Sequence, residues 1–111
     1  MENIDYILNT AKLIINEEAG KAGYKTEAVY LFGSRARGDY KEDSDWDFYV
    51  VIDRNMERDI KIKVSGDIRR GIRNKLRIST DILIQPINIV NERKNQSGYV
   101  TYFALKEGLA V

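Results

Sequence analysis

The chain of 111 residues contains no cysteine and no histidine. Without cysteine it has neither disulfides nor thiolate metal sites. Without histidine it has no imidazole base and no Ser-His-Asp triad, and most zinc centres are excluded. Any catalysis falls to carboxylates, hydroxyls, Lys, Arg, Tyr or a hard metal ion. Proline occurs once, at Pro86, where it stops an apolar run. No apolar run approaches the roughly 20 residues needed to span a bilayer. The opening stretch MENIDYILNTAKLIINEEAG has acids early and no basic n-region, so it does not read as a signal peptide. The expectation is a soluble, cytoplasmic protein without membrane contact. An excess of one charge is also missing: 18 Lys and Arg face 17 Asp and Glu, leaving +1. The molecule as a whole does not advertise a nucleic-acid or membrane partner, and any electrostatic preference must be local.

What is present fits one globular domain over residues 1–111, with 43% hydrophobic and 32% charged residues. Residues 4–22 place Ile4, Ile7, Leu8, Ala11, Ile14, Ile15, Ala19 and Ala22 on one helical stripe. EAVYLFG predicts a strand near 27–32. Residues 33–44 predict a polar loop with one helical turn at Ser34–Arg37. DWDFYVVI is a second strand, apolar on both faces and therefore central. Residues 57–76 carry apolar positions four apart, a helix weakened by Gly66 and Gly71. ISTDILIQP is a third strand. A short helical piece follows from 87, then a helix near 97–107 with Ser97 as its cap and Gly108 as its stop. The closing LAV suits a short edge strand. Strands alternating with helices predict an α/β (α+β) fold: a small mixed sheet of three or four strands with helices packed on it.

Chemistry concentrates in GSRARGDYKEDSDWDFYVVID, residues 33–53. On a strand, Asp45 and Asp47 share a face, about 6.6 Å apart along the chain. Like charges at the start of a buried strand repel and must be desolvated, costs that a cation relieves. Oxygen-only donors suit Mg²⁺ or Mn²⁺. Asp81 lies inside the apolar STDILI, where aspartate is disfavoured. If the third strand lies beside the second, the three carboxylates can serve two ions roughly 3.5–4 Å apart. Upstream, Gly33 and Ser34 end a strand with a turn whose backbone could approach a phosphate, and Arg35 and Arg37 add positive charge. Taken alone, Gly33-Ser34 reads as a strand-ending turn. Asp39, Glu42 and Asp43 read as solvated loop acids.

Gly33-Ser34, ten intervening residues and then Asp45-Trp46-Asp47 resemble the signature of the polymerase-β-type nucleotidyltransferase superfamily. The fuller run FGSRARGDYKEDSDWDFYVVI is similar to the minimal nucleotidyltransferase family of small prokaryotic proteins. The resemblance extends over nearly the whole chain, with Asp81 as third carboxylate and ALKEGLAV at the tail. Trp46 departs from it, standing where a smaller aliphatic residue is usual. The resemblance implies a palm-like fold and transfer of a nucleoside monophosphate. Asp45 and Asp47 would bind two Mg²⁺ ions. Asp81 would bind the catalytic one and help deprotonate the attacking hydroxyl, and Gly33 and Ser34 would hold the triphosphate of ATP. It also implies an antitoxin role, with AMP attached to a HEPN-type toxin protein as partner.

Two other readings stay open: a non-catalytic binding module that neutralises its partner by complex formation, and nucleotide addition to an RNA end or a small molecule. A palm this small leaves the acceptor to a docked partner or to a homo-oligomer. Segment 61–77 carries Lys61, Lys63, Arg69, Arg70, Arg73, Lys75 and Arg77 against Asp67 alone, a local charge of +6. It reads either as a solvated helix face or as a contact for RNA or an acidic partner. Arg37-Gly38-Asp39 matches an integrin-binding tripeptide by coincidence. Tyr99, Tyr102 and Phe103 read as packing or interface residues.

Overall fold

The computed structural model describes residues 3–111. Asn3 caps the first helix, α1 (Ile4–Lys21), its side chain accepting from the Tyr6 N–H at 3.1 Å. The helix buries Ile7, Ala11, Ile15 and Ala19, the heart of the expected stripe, while Ile4 stays 43% exposed. Strand β1 (Thr26–Phe32) leads into the single turn of α2 (Ser34–Arg37). Strand β2 (Trp46–Ile52) follows, then α3 (Arg58–Leu76) and β3 (Thr80–Pro86). Helices α4 (Ile87–Arg93) and α5 (Val100–Glu107) precede a two-residue strand, β4 (Leu109–Ala110).

The sheet runs β3-β2-β1-β4. Strands β2 and β3 are parallel, joined by the crossover through α3; both pairings of β1 are antiparallel. Alternation along β2 then sorts the core. Trp46, Phe48, Val50 and Ile52 face α1 and α3, against Ile15, Ile68 and Ile72. Tyr49 and Val51 face the other way, against Val90 of α4 and Ala104 of α5. The central place expected for this strand follows from its having an apolar face for each helical layer.

Neither glycine breaks α3. A Cβ at Gly71 would lie 2.9 Å from Ile14 Cγ2, so this glycine lets α1 and α3 approach closely. Some boundaries differ from expectation. Helix α1 ends at Lys21, one residue early. Strand β2 starts at Trp46, leaving Asp45 just ahead of it. The last helix is capped by Tyr99 rather than Ser97, because the Tyr99 N–H donates to Gln96 O at 3.1 Å and closes a turn that holds Ser97 outside the helix.

Candidate active site

The parallel register pairs Asp47 of β2 with Asp81 of β3, and the antiparallel register pairs Asp47 with Phe32 at the end of β1. Residues in register point to the same face. Asp47 and Asp81 therefore stand together on the face that carries α4 and α5, at the end where β1 finishes and β2 and β3 begin. Asp47 is half-buried, while Asp45 and Asp81 are exposed. Burial pushes the Asp47 carboxyl above its ordinary value; the negative charges of Asp81 and Asp45 push it further, and Arg37 opposes them. Asp45 and Asp81 thus both lie near enough to act on Asp47.

Gly33 packs directly against Asp47. Its φ of 76° and ψ of −158° fall in a region open essentially to glycine alone. A Cβ here would sit 2.2 Å from Asp47 Oδ2. The turn after β1 is pressed against the Asp47 carboxylate, and any side chain at residue 33 would collide with it. Ser34 opens α2, and Gly38, with φ of 91°, closes it.

The two arginines of α2 separate. Arg37 is half-exposed, lies 3.5 Å from Asp39 and acts on Asp47. Arg35 is only 6% exposed. Its guanidinium donates to Glu42 O at 2.9 Å and Ser44 O at 3.1 Å, and lies over the rings of Tyr40 at 4.3 Å and Trp46 at 4.6 Å. Trp46 belongs to the opposite face of β2 from Asp47. Sequence reasoning set Arg35 beside a phosphate; the structure sets it into the loop leading to Asp45. Trp46, the departure from the family pattern, is the platform under that guanidinium. The aromatic and the arginine were both visible in the sequence, but their meeting was not. Asp39, Glu42 and Asp43 are exposed loop acids.

Among the described residues no group of three or more acidic side chains is arranged to hold a metal ion by itself. The acids present, Asp45, Asp47 and Asp81, nonetheless offer only oxygen donors, the chemistry that Mg²⁺ or Mn²⁺ takes. Mg²⁺ keeps several waters and binds through one or two carboxylates plus substrate phosphates, so a closed protein cage is not what it needs.

Asp47 and Asp81 thus stand on neighbouring strands beside a glycine-serine turn. The family model described as "Polymerase beta, Nucleotidyltransferase" matches residues 14–110. The chain belongs to this family and is a nucleotidyltransferase domain. Among solved structures it is similar to the toxin–antitoxin MntA–HpeT, in a mutant form, with a TM-score of 0.60 at 15% identity, covering 90% of this chain and 70% of that one. It is equally similar to a toxin–antitoxin with AMP-PNP, with a TM-score of 0.60 at 16% identity, covering 89% of this chain and 70% of that one. At those identities the likeness establishes the fold. No curated protein matches the chain in sequence.

Proposed function

We propose that this domain transfers AMP from ATP to a hydroxyl group of a protein partner, a HEPN-type toxin, and so acts as an antitoxin. The observation that carries this reading is the register pairing of Asp47 with Asp81 beside Gly33. The toxin–antitoxin character of two similar structures, one with an ATP analogue, supports the choice of partner and nucleotide.

Asp45, Asp47 and Asp81 would hold Mg²⁺ or Mn²⁺. Such ions, when bound, neutralise phosphate charge and stabilise both the entering and the leaving oxygen. Gly33 and Ser34 would receive the triphosphate on the turn that packs against the Asp47 carboxylate. Asp81 takes the proton of the attacking hydroxyl. The hydroxyl oxygen bonds to the α-phosphorus, the bond from that phosphorus to the β-phosphate bridge breaks, and pyrophosphate departs. Arg37 offsets charge building on the phosphates. Arg35 contributes by holding the loop before Asp45.

The test is incubation of the protein with α-labelled ATP, Mg²⁺ or Mn²⁺, and the HEPN-type protein encoded beside it. The expected result is label on the partner protein, lost in Asp47→Asn together with neutralisation of the toxin. Label on RNA alone would reassign the acceptor. Neutralisation that survives Asp47→Asn without any label would identify a binding module and overturn the catalytic reading.

A further inference from the structure

Helix α3 and the start of β3 enclose a cavity of about 310 Å³, away from the acidic site. Its wall includes Arg69, Arg70 and Arg73, with Gly66, Ser79 and Thr80. The three arginines lie within about one helical turn, and all three line the same concavity. Arg70 is tied to Asp67 at 2.5 Å. Among the described residues no acid pairs with Arg69 or Arg73. Basic residues in the last turn of a helix complement its dipole, which accounts for Arg73 and Lys75. That account does not extend to Arg69 and Arg70, a turn earlier on the same cavity.

Thr80 is 9% exposed, and its Oγ1 is buried without a hydrogen-bond partner. Thr80 lines the cavity, but this oxygen is closed off from it, so the grip falls to the arginines. Its neighbour in sequence, Asp81, points to the opposite face of the sheet. The cavity therefore lies across β3 from the acidic cluster rather than within it.

We propose that this cavity is a second anion site that takes consecutive phosphate groups. Guanidinium forks match phosphate oxygens in pairs. The volume falls within the usual range of small-ligand sites, about 300–1,000 Å³, and so exceeds what a lone anion needs. No aromatic ring lines it, so it offers phosphates a grip but bases no stacking platform. A free polyphosphate group and the backbone of an RNA strand present the same chemistry. The site does not rest on the catalytic reading, and it requires no metal.

Binding is measured in EDTA by calorimetry with two probes, tripolyphosphate and a single-stranded RNA dodecamer. The variants are Arg69→Gln/Arg73→Gln and, as a charge-matched control on the same helix, Lys61→Gln/Lys75→Gln. The expected result is binding of at least one probe, weakened at least about tenfold by the arginine pair and much less by the lysine pair, since charge-assisted bonds exceed diffuse attraction. Tripolyphosphate binding identifies a free phosphate ligand, and binding of RNA alone identifies a backbone. Thermal melts of both variants confirm that the exposed substitutions leave the fold intact. Asp47→Asn is expected to bind the probe as the parent does. Failure of both probes, equal weakening by both pairs, or loss of binding in Asp47→Asn would each overturn the proposal.

Discussion

Ionised Asp47 stands beside two further carboxylates and is partly withdrawn from water. Burial first, and then Asp81 and Asp45, raise its pKa above the ordinary 3.8. A raised carboxyl binds its proton more tightly in the folded than in the unfolded chain. The stability this adds is complete below the ordinary value and is lost as pH rises through the raised one. At neutral pH the charge therefore works against folding. Asp47→Asn is expected to melt at a higher temperature than the parent in EDTA at pH 7, with the gap closing as pH falls into the carboxyl range. A variant that melts lower at pH 7 would show that Asp47 is a structural residue rather than a ligand waiting for a cation. Gly33 raises the complementary case. Its backbone conformation costs other residues about 1–3 kcal/mol, and a Cβ would lie 2.2 Å from Asp47 Oδ2. Gly33→Ala should destabilise the fold by about that amount. It should also lower transfer roughly a hundredfold by displacing the Asp47 carboxylate, because small misplacements at a reacting centre are that costly. Chemical denaturation and steady-state rates read the two effects separately.

Among the elements, the segment from α2 to β2 carries the site, and a single side chain braces it. Arg35 joins the carbonyls of Glu42 and Ser44 to the rings of Tyr40 and Trp46. Its loss would orphan two carbonyls and two aromatic faces. Arg35→Ala should cost roughly 2–4 kcal/mol. Arg35→Lys should recover only part, since an ammonium cannot reproduce the fork. Urea melts give the cost, and amide exchange faster at 42–46 than in β1 would place it in the loop. This brace explains what the sequence hid. The alternation of β2 and the four-residue spacing of Ile60, Val64, Ile68 and Ile72 were legible because apolar periodicity is a property of the side chains themselves. Asp81 stood out because an acid in an apolar strand is conspicuous. Arg35 was misread because its partners are backbone carbonyls, which every residue has. The cap at Tyr99 was missed for the same reason, being made by a backbone turn and not by the Ser97 hydroxyl. The arginine cavity was visible only as a charged helix face, since the strand that completes it comes from residues 78–80.

At the scale of the molecule, one sheet serves two cores. The larger lies under α1 and α3, the smaller under α4 and α5, and β2 belongs to both. Asp47 sits in that shared strand, Asp81 in the strand paired with it, and Gly33 follows the strand on the other side. A ligand gripping all three would clamp β1, β2 and β3 together. Opening either core would then require releasing it, so binding should be felt by the whole domain in a single transition. For a ligand that binds only the folded state, a concentration a hundred times Kd adds about 2.7 kcal/mol. In a domain of this size that corresponds to a rise in Tm on the order of 10 °C. Mg²⁺ with a non-hydrolysable ATP analogue should produce such a rise in the parent protein, with the far-ultraviolet and tryptophan signals moving together. Trp46, on the face opposite Asp47, makes the second signal a test of transmission across the sheet. Asp47→Asn, although more stable in EDTA, should gain little, so the order of the two melting temperatures should reverse on adding Mg²⁺ and the nucleotide. If the order does not reverse, the three acidic residues are not acting together as a cation site, and the proposed chemistry loses its foundation.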